Sequence, residues 1–177
     1  MNEVFPRLKT VSLATATAGA IVRIPRASTS LLALVTDEPA VEDSRSFVIL
    51  NATDQGRPRA EFVNNWSNRS GLLAYDEPLR YELSMAEANV DVSGRTWLGV
   101  PGALISLEDE MYLQAAIFQS HFGSIRCVNI RNGSVFKGQI PNYSIWTFGV
   151  WSVCLRDPIH QQSTALFDFD VHKQWHA

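Results

Sequence analysis

Residues 125–140 read Ile-Arg-Cys-Val-Asn-Ile-Arg, then Asn132-Gly133, then Ser-Val-Phe-Lys-Gly-Gln-Ile, and no other segment restricts the possible folds as tightly. Asn-Gly between two runs rich in β-branched and aromatic residues is the strongest short-range hairpin signal, because both residues tolerate the positive φ of a type I′ turn. A two-residue loop sets Ile130 opposite Val135 and Val128 opposite Lys137. Pro141-Asn142-Tyr143 then turns the chain into Ser144–Leu155, the longest apolar strand expected, which Asp157-Pro158 stops. In such a meander Cys154 lies near the level of Ile130, out of register with Cys127. The two cysteines are therefore expected to be unpaired core residues.

The same grammar runs through the chain: short apolar runs closed off by Gly, Pro, Asn, Asp or Ser. Strands are expected at 20–25, 31–36, 46–51, 80–85, 88–92, 95–100, 103–107 and 165–172. Residues 108–120 contain good helix formers behind an acidic start. Glu108-Asp109 equally suits a hairpin between Leu104–Leu107 and Met111–Ala115, and the strand reading is preferred. The fold class is all-β with at most one short helix, in a single domain over 1–177. An antiparallel β-sandwich or barrel of eight or more strands fits, with a jelly-roll-like topology in the same set.

A chain of 177 residues with 46% hydrophobic residues can build such a core without metal or disulfides. The net charge of −3 argues against a polyanion partner, and the basic residues are scattered, so nucleic acid is not expected. Arginines outnumber lysines twelve to three, which fits interface chemistry or simply the codon usage of a GC-rich genome. Five Asn-x-Ser/Thr matches occur, at Asn51, Asn65, Asn68, Asn132 and Asn142. The alternating Thr residues of 11–22 interrupt the apolar stretch that a signal peptide needs. No run approaches the ~20 apolar residues of a membrane span. A cytoplasmic protein is expected, with the Asn-x-Ser/Thr matches as turn chemistry.

No phosphate-binding loop, nucleophile elbow or metalloprotease motif is present. The best local constellation is Asp168, Asp170 and His172, which share one face of a strand at spacings of two. Such a row can ligate a divalent metal or hold an acid/base pair. It is also what the solvent face of an edge strand looks like when Phe167, Phe169 and Val171 point inward. His172 and His176 stand four apart, in what reads as a frayed tail. A second candidate is Trp66 with Asn65 and Arg69, an indole among polar groups in an expected loop, suited to a sugar or protein contact.

The run Ile145–Leu155 carries large apolar groups on both faces, while a sandwich needs only one face for its own core. Self-association or a protein partner is therefore expected, with Trp146 or Trp151 in or near the contact. The leading functional reading is a non-enzymatic module for protein association. The alternative is a small-ligand or carbohydrate-binding β-barrel or sandwich, with a metal-assisted hydrolase using Asp168, Asp170 and His172 as its catalytic variant. No cofactor is expected.

Overall fold

The computed structural model describes residues 8–26, 30–38, 44–54, 57–67, 71–75, 79–83, 97–118, 124–140, 145–156 and 163–171. Among these every regular element is a strand: β1 (Leu8–Val11), β2 (Ile21–Pro25), β3 (Ser30–Val35), β4 (Ser44–Asp54), β5 (Arg57–Ser67), β6 (Leu72–Tyr75), β7 (Leu79–Leu83), β8 (Leu104–Leu107), β9 (Glu110–Ile117), β10 (Ile125–Asn129), β11 (Trp146–Phe148), β12 (Val150–Arg156) and β13 (Ser163–Asp170). Ten strands form one sheet in the order β1-β6-β2-β3-β4-β5-β9-β8-β11, with β10 also paired to β9, and β13-β12-β7 form a second. All pairs are antiparallel except β5–β9, which run parallel through Glu61↔Ala116 and Phe62↔Ile117. Neither sheet closes on itself, so the sandwich is the architecture and the barrel is not.

The main core lies between the sheets. The large sheet supplies Leu34, Val48, Phe62, Leu104 and Leu113, and the small one Trp151, Val153, Leu155 and Phe169. The large sheet is apolar on its other face as well. There Val22, Ile24, Val35, Phe47 and Ile49 pack beneath Leu13 and Ala16 of the segment that follows β1. A smaller cluster at Ile105, Leu107, Cys127 and Ile145 is packed against Phe136 and Ile140. Strands buried on both sides read as unbroken apolar runs, as residues 31–35 and 47–50 do.

The expected strands at 20–25, 31–36, 46–51, 80–85, 103–107 and 165–172 correspond to β2, β3, β4, β7, β8 and β13. The one expected at 88–92 lies outside the described residues. Within 95–100 the chain turns at Trp97–Gly99 rather than extending. The helix considered for 108–120 is strand β9, reached through a two-residue loop at Glu108-Asp109. Both residues have positive φ, 50° and 65°, and Leu107 pairs with Glu110. Apolar runs spaced by two residues impose that register even without glycine.

The Asn132-Gly133 reversal exists, with a different register. Val128 bridges Val135, not Lys137, and Ile130–Gly133 form a four-residue loop. Asn129 is the cause: its Oδ1 accepts the N–H groups of Arg131 and Asn132 at 2.8 and 3.2 Å. Only Gly133 takes a positive φ, 74°. Ile130 N–H donates to the Met111 carbonyl at 3.1 Å, which holds Ile130 beside β9 and out of the expected hairpin pair. A shift of two residues keeps every side chain on its face. Ser134–Ile140 contributes that single bridge and no strand.

The meander fails at the next step. β11 joins β8 in the large sheet, and after Gly149 the chain crosses into β12, the centre of the small sheet. The apolar run at 145–155 is two-faced because it serves two sheets. Phe148 and Trp151 enter the same core from opposite sides.

Gly133 and Gly99 give a controlled test of the loop. Both have positive φ, but a Cβ at Gly99 meets nothing within 4 Å, while one at Gly133 falls 2.3 Å from the Val35 carbonyl oxygen. Gly99→Ala should cost about 1–2 kcal/mol from backbone conformation alone. Gly133→Ala should cost distinctly more, and Gly133→Val more again, measured by urea unfolding.

Candidate functional site

A cleft of about 580 Å³ opens at one end of the sandwich, walled by residues from both sheets. Ile21, Tyr75 and Met111 come from the large sheet, and Leu79, Tyr81 and Leu83 from β7 of the small one. Its mouth is set by three turns: Gly19-Ala20, the β8–β9 loop at Asp109-Glu110, and Ile130-Arg131. Turns gathered at the end of a rigid sandwich are the usual place for a binding site on such a fold. These turns are tied down. Gly19 N–H donates to the Val35 carbonyl at 2.9 Å, Asp37 N–H to the Gly133 carbonyl at 2.9 Å, and Val135 N–H to Asp37 Oδ1 at 3.2 Å.

The walls mix apolar side chains with the polar groups of Tyr75, Tyr81, Asp109, Glu110 and Arg131. Tyr75 Oη accepts from Arg23 Nε at 2.5 Å, and Glu110 Oε2 accepts from Asn129 Nδ2 at 2.9 Å. Tyr81 differs. Its ring is half-buried, its hydroxyl is sealed from solvent, and that hydroxyl has no hydrogen-bond partner. Burial pushes the phenol well above the ordinary tyrosine range, so it stays protonated and remains a donor. An unmade hydrogen bond of this kind costs about 1–3 kcal/mol. Nothing local in the sequence marks Tyr81: Leu79–Leu83 reads as a plain strand, and only its place at the edge of the small sheet brings it to the cleft.

The structure places Asp168 and Asp170 on the outer face of β13, while Phe169 is buried. Across the sheet, Ser152 pairs with Asp168 on one side and Glu82 on the other, and Ser163 Oγ donates to Glu82 Oε1 at 2.5 Å. His172 lies outside the described residues. Among the described residues no three of His, Cys, Asp and Glu are grouped to hold a metal ion. Trp66 was expected in a loop and instead lies on β5, where a register shift against β4, between Phe47↔Val63 and Arg45↔Trp66, puts it on the same face as Val63. Its half-buried indole packs against the second face of the large sheet. Asn65 is on the same strand, and Arg69 lies outside the described residues.

Cys127 and Cys154 are free and buried. They belong to different sheets, Cys127 under the large one and Cys154 on β12. Burial pushes the Cys127 thiol up to about 11. Burial also raises Cys154, against a hydrogen bond from its Sγ to Ser152 Oγ at 3.6 Å that lowers it. Trp151 is 2% exposed, inside the subunit, which removes it from any contact surface. Its indole N–H donates to the Gly102 carbonyl at 2.8 Å, because the strand has crossed between sheets. Trp146, on edge strand β11, is 52% exposed.

Tyr81→Phe keeps the ring and removes the unpaired hydroxyl, so stability at neutral pH should stay level or rise by ~1 kcal/mol or more in urea unfolding. The pH dependence follows from the raised values. Folding favours the protonated forms of Cys127 and Tyr81, so their contribution is complete below the thiol's ordinary value of 9.0. It is lost as pH rises toward about 11 for Cys127 and higher for Tyr81. Tyr81→Phe should flatten the decline in stability above pH ~10, where a free phenol ionises.

Compared with known protein families, curated proteins and solved structures, the chain matches none.

Proposed function

We propose that this protein is a non-enzymatic binding module whose inter-sheet cleft takes a small, largely apolar ligand carrying an uncharged oxygen. The observation that supports this reading is Tyr81, which lines a 580 Å³ cleft while its buried hydroxyl has no hydrogen-bond partner. That volume is in the range of small-molecule sites, which combine apolar walls with a few polar groups that orient the ligand. A neutral carbonyl or hydroxyl oxygen brought against Tyr81 supplies the missing acceptor. A charged group there would lose its hydration in apolar surroundings. Asp109 and Arg131 at the mouth keep the ligand's outer end in polar surroundings.

Acetophenone, an aryl ketone small enough for the cleft, is a suitable probe, with benzoate as the charged counterpart. Acetophenone should raise the melting temperature saturably, by an amount equivalent to about 1.4 kcal/mol at tenfold its Kd. Benzoate should act more weakly at this site. Tyr81→Phe should weaken acetophenone binding about fivefold to tenfold, the worth of one hydrogen bond. Met111→Trp, which fills the cleft from a half-buried position, should abolish it. Equal acetophenone binding by all three proteins would overturn the assignment.

A second reading, association through a sheet edge, draws on Trp146. Among the described residues β11 pairs only with β8, and the Trp146 indole stands half in solvent. An exposed edge carrying a large apolar group is a natural contact for another chain. Light scattering across a concentration range should then show mass rising in the wild type and constant monomer mass in Trp146→Ser. A wild-type monomer throughout would leave the cleft as the better-supported function.

A further inference from the structure

The second face of the large sheet holds a recess that has nothing to do with the inter-sheet cleft. It measures about 460 Å³, and its walls include Arg26, Leu31, Glu61, Val63, Trp66 and Phe118. Three observations meet there. The Arg26 guanidinium carbon stands 5.3 Å from the centroid of the Trp66 ring, over its face. Arg26 is exposed, and among the described residues no carboxylate pairs with it. Trp66 Nε1 is buried and has no hydrogen-bond acceptor.

Two of the other polar side chains in the recess, Glu61 and Asn51, are already engaged. Glu61, the acid in the recess, is bound by Arg59 through both Nε and a terminal nitrogen. Asn51 uses its amide on β3, accepting from Leu32 N–H at 2.7 Å and donating to the Ser30 carbonyl at 3.2 Å. Among the described residues, two nitrogen donors thus face the recess without a hydrogen-bond acceptor: a guanidinium held by an aromatic face and an indole N–H. A stacked guanidinium is pre-organised to receive the planar or tripodal oxygens of an anion. Beside it, Leu31 and Val63 offer an apolar floor, and Phe118, 48% exposed, an aromatic wall.

From this geometry we infer a second binding site, at Arg26 and Trp66, for a small organic anion: a carboxylate or phosphate monoester attached to a flat apolar body. The anionic oxygens take Arg26 and the Trp66 N–H, and the body lies against Phe118. Uncharged ligands of the same shape satisfy neither donor as well, which separates this site from the cleft at Tyr81.

The test follows the Trp66 indole N–H in a 15N–1H correlation spectrum of the full chain, with its peak identified by its loss in Trp66→Phe. Benzoate and phenyl phosphate are titrated to about 10 mM, a range that covers weak sites. Benzyl alcohol is the uncharged control and inorganic phosphate the anion without a body. At least one of the two aromatic anions should move the peak saturably, and which one does names the head group. Benzyl alcohol and inorganic phosphate should move it little, and Arg26→Gln, a surface change, should weaken the aromatic anion about tenfold. The inference is overturned if benzyl alcohol or inorganic phosphate binds as well as the aromatic anions. It is equally overturned if Arg26→Gln binds like wild type, or if the peak never moves. Tyr81→Phe should leave this titration unchanged, so failure here and failure at the cleft are read separately.

Discussion

Trp151 ties the two sheets together. Its ring packs against Phe169 at 5.9 Å, edge-on to Phe167 at 5.6 Å, and tilted against Tyr81 at 6.2 Å, so it gathers all three strands of the small sheet. Its N–H reaches the Gly102 carbonyl in the turn that leads into β8 of the large sheet. A buried indole without that acceptor leaves a donor unpaired in the core, so the bond fixes where the sheets sit as well as that they meet. The turn is itself clamped. Gln114, fully buried on β9, receives Gly99 N–H at 2.6 Å and donates to the Trp97 carbonyl at 2.8 Å.

The cleft is a consequence of that arrangement. Among the described residues the small sheet has three strands against ten, fewer than the inner face of its partner spans. Along its edge strand β7 the core opens between Tyr81 and Met111, and among the described residues turns frame the mouth. Those turns hang on backbone hydrogen bonds to the large sheet, which makes the mouth part of the rigid scaffold. A binding site framed this way loses little conformational entropy on occupation.

The large sheet needs a second cover, because β2, β3 and β4 are apolar on both faces. Leu13 and Ala16 provide it at one end. At the other, Trp66 with Arg26 over its face stands beside a recess. A two-faced apolar sheet thus carries two kinds of recess among the described residues: one between layers, and one on its outer face.

Pattern in the chain was enough to establish that the protein is built of strands. Period-two alternation and turn residues placed β2, β3, β4, β7, β8 and β13, the Glu108-Asp109 reversal and the positive φ of Gly133. These depend on neighbours a few residues away. β5 was missed because Asn64-Asn65 and Arg57-Pro58 look like loop chemistry, yet the strand is held by β4 beside it. The register at Asn132-Gly133 was misread because a side chain, Asn129, and a strand from elsewhere, β9, compete with the simplest hairpin. The apolar run at 145–155 carried the strand signal but not the crossing at Gly149, since an apolar face does not say which sheet it serves. For the same reason Trp146 and Trp151 looked alike in sequence and have opposite fates. The candidate sites divide in the same way. Asp168 and Asp170 share a face as the local period requires. Tyr81 at the cleft, and Arg26 over Trp66, are brought to their places by pairings between distant segments. Local order comes from steric and hydrogen-bonding preferences of adjacent residues, whereas which polar atoms end buried without partners is decided only when the sheets pack.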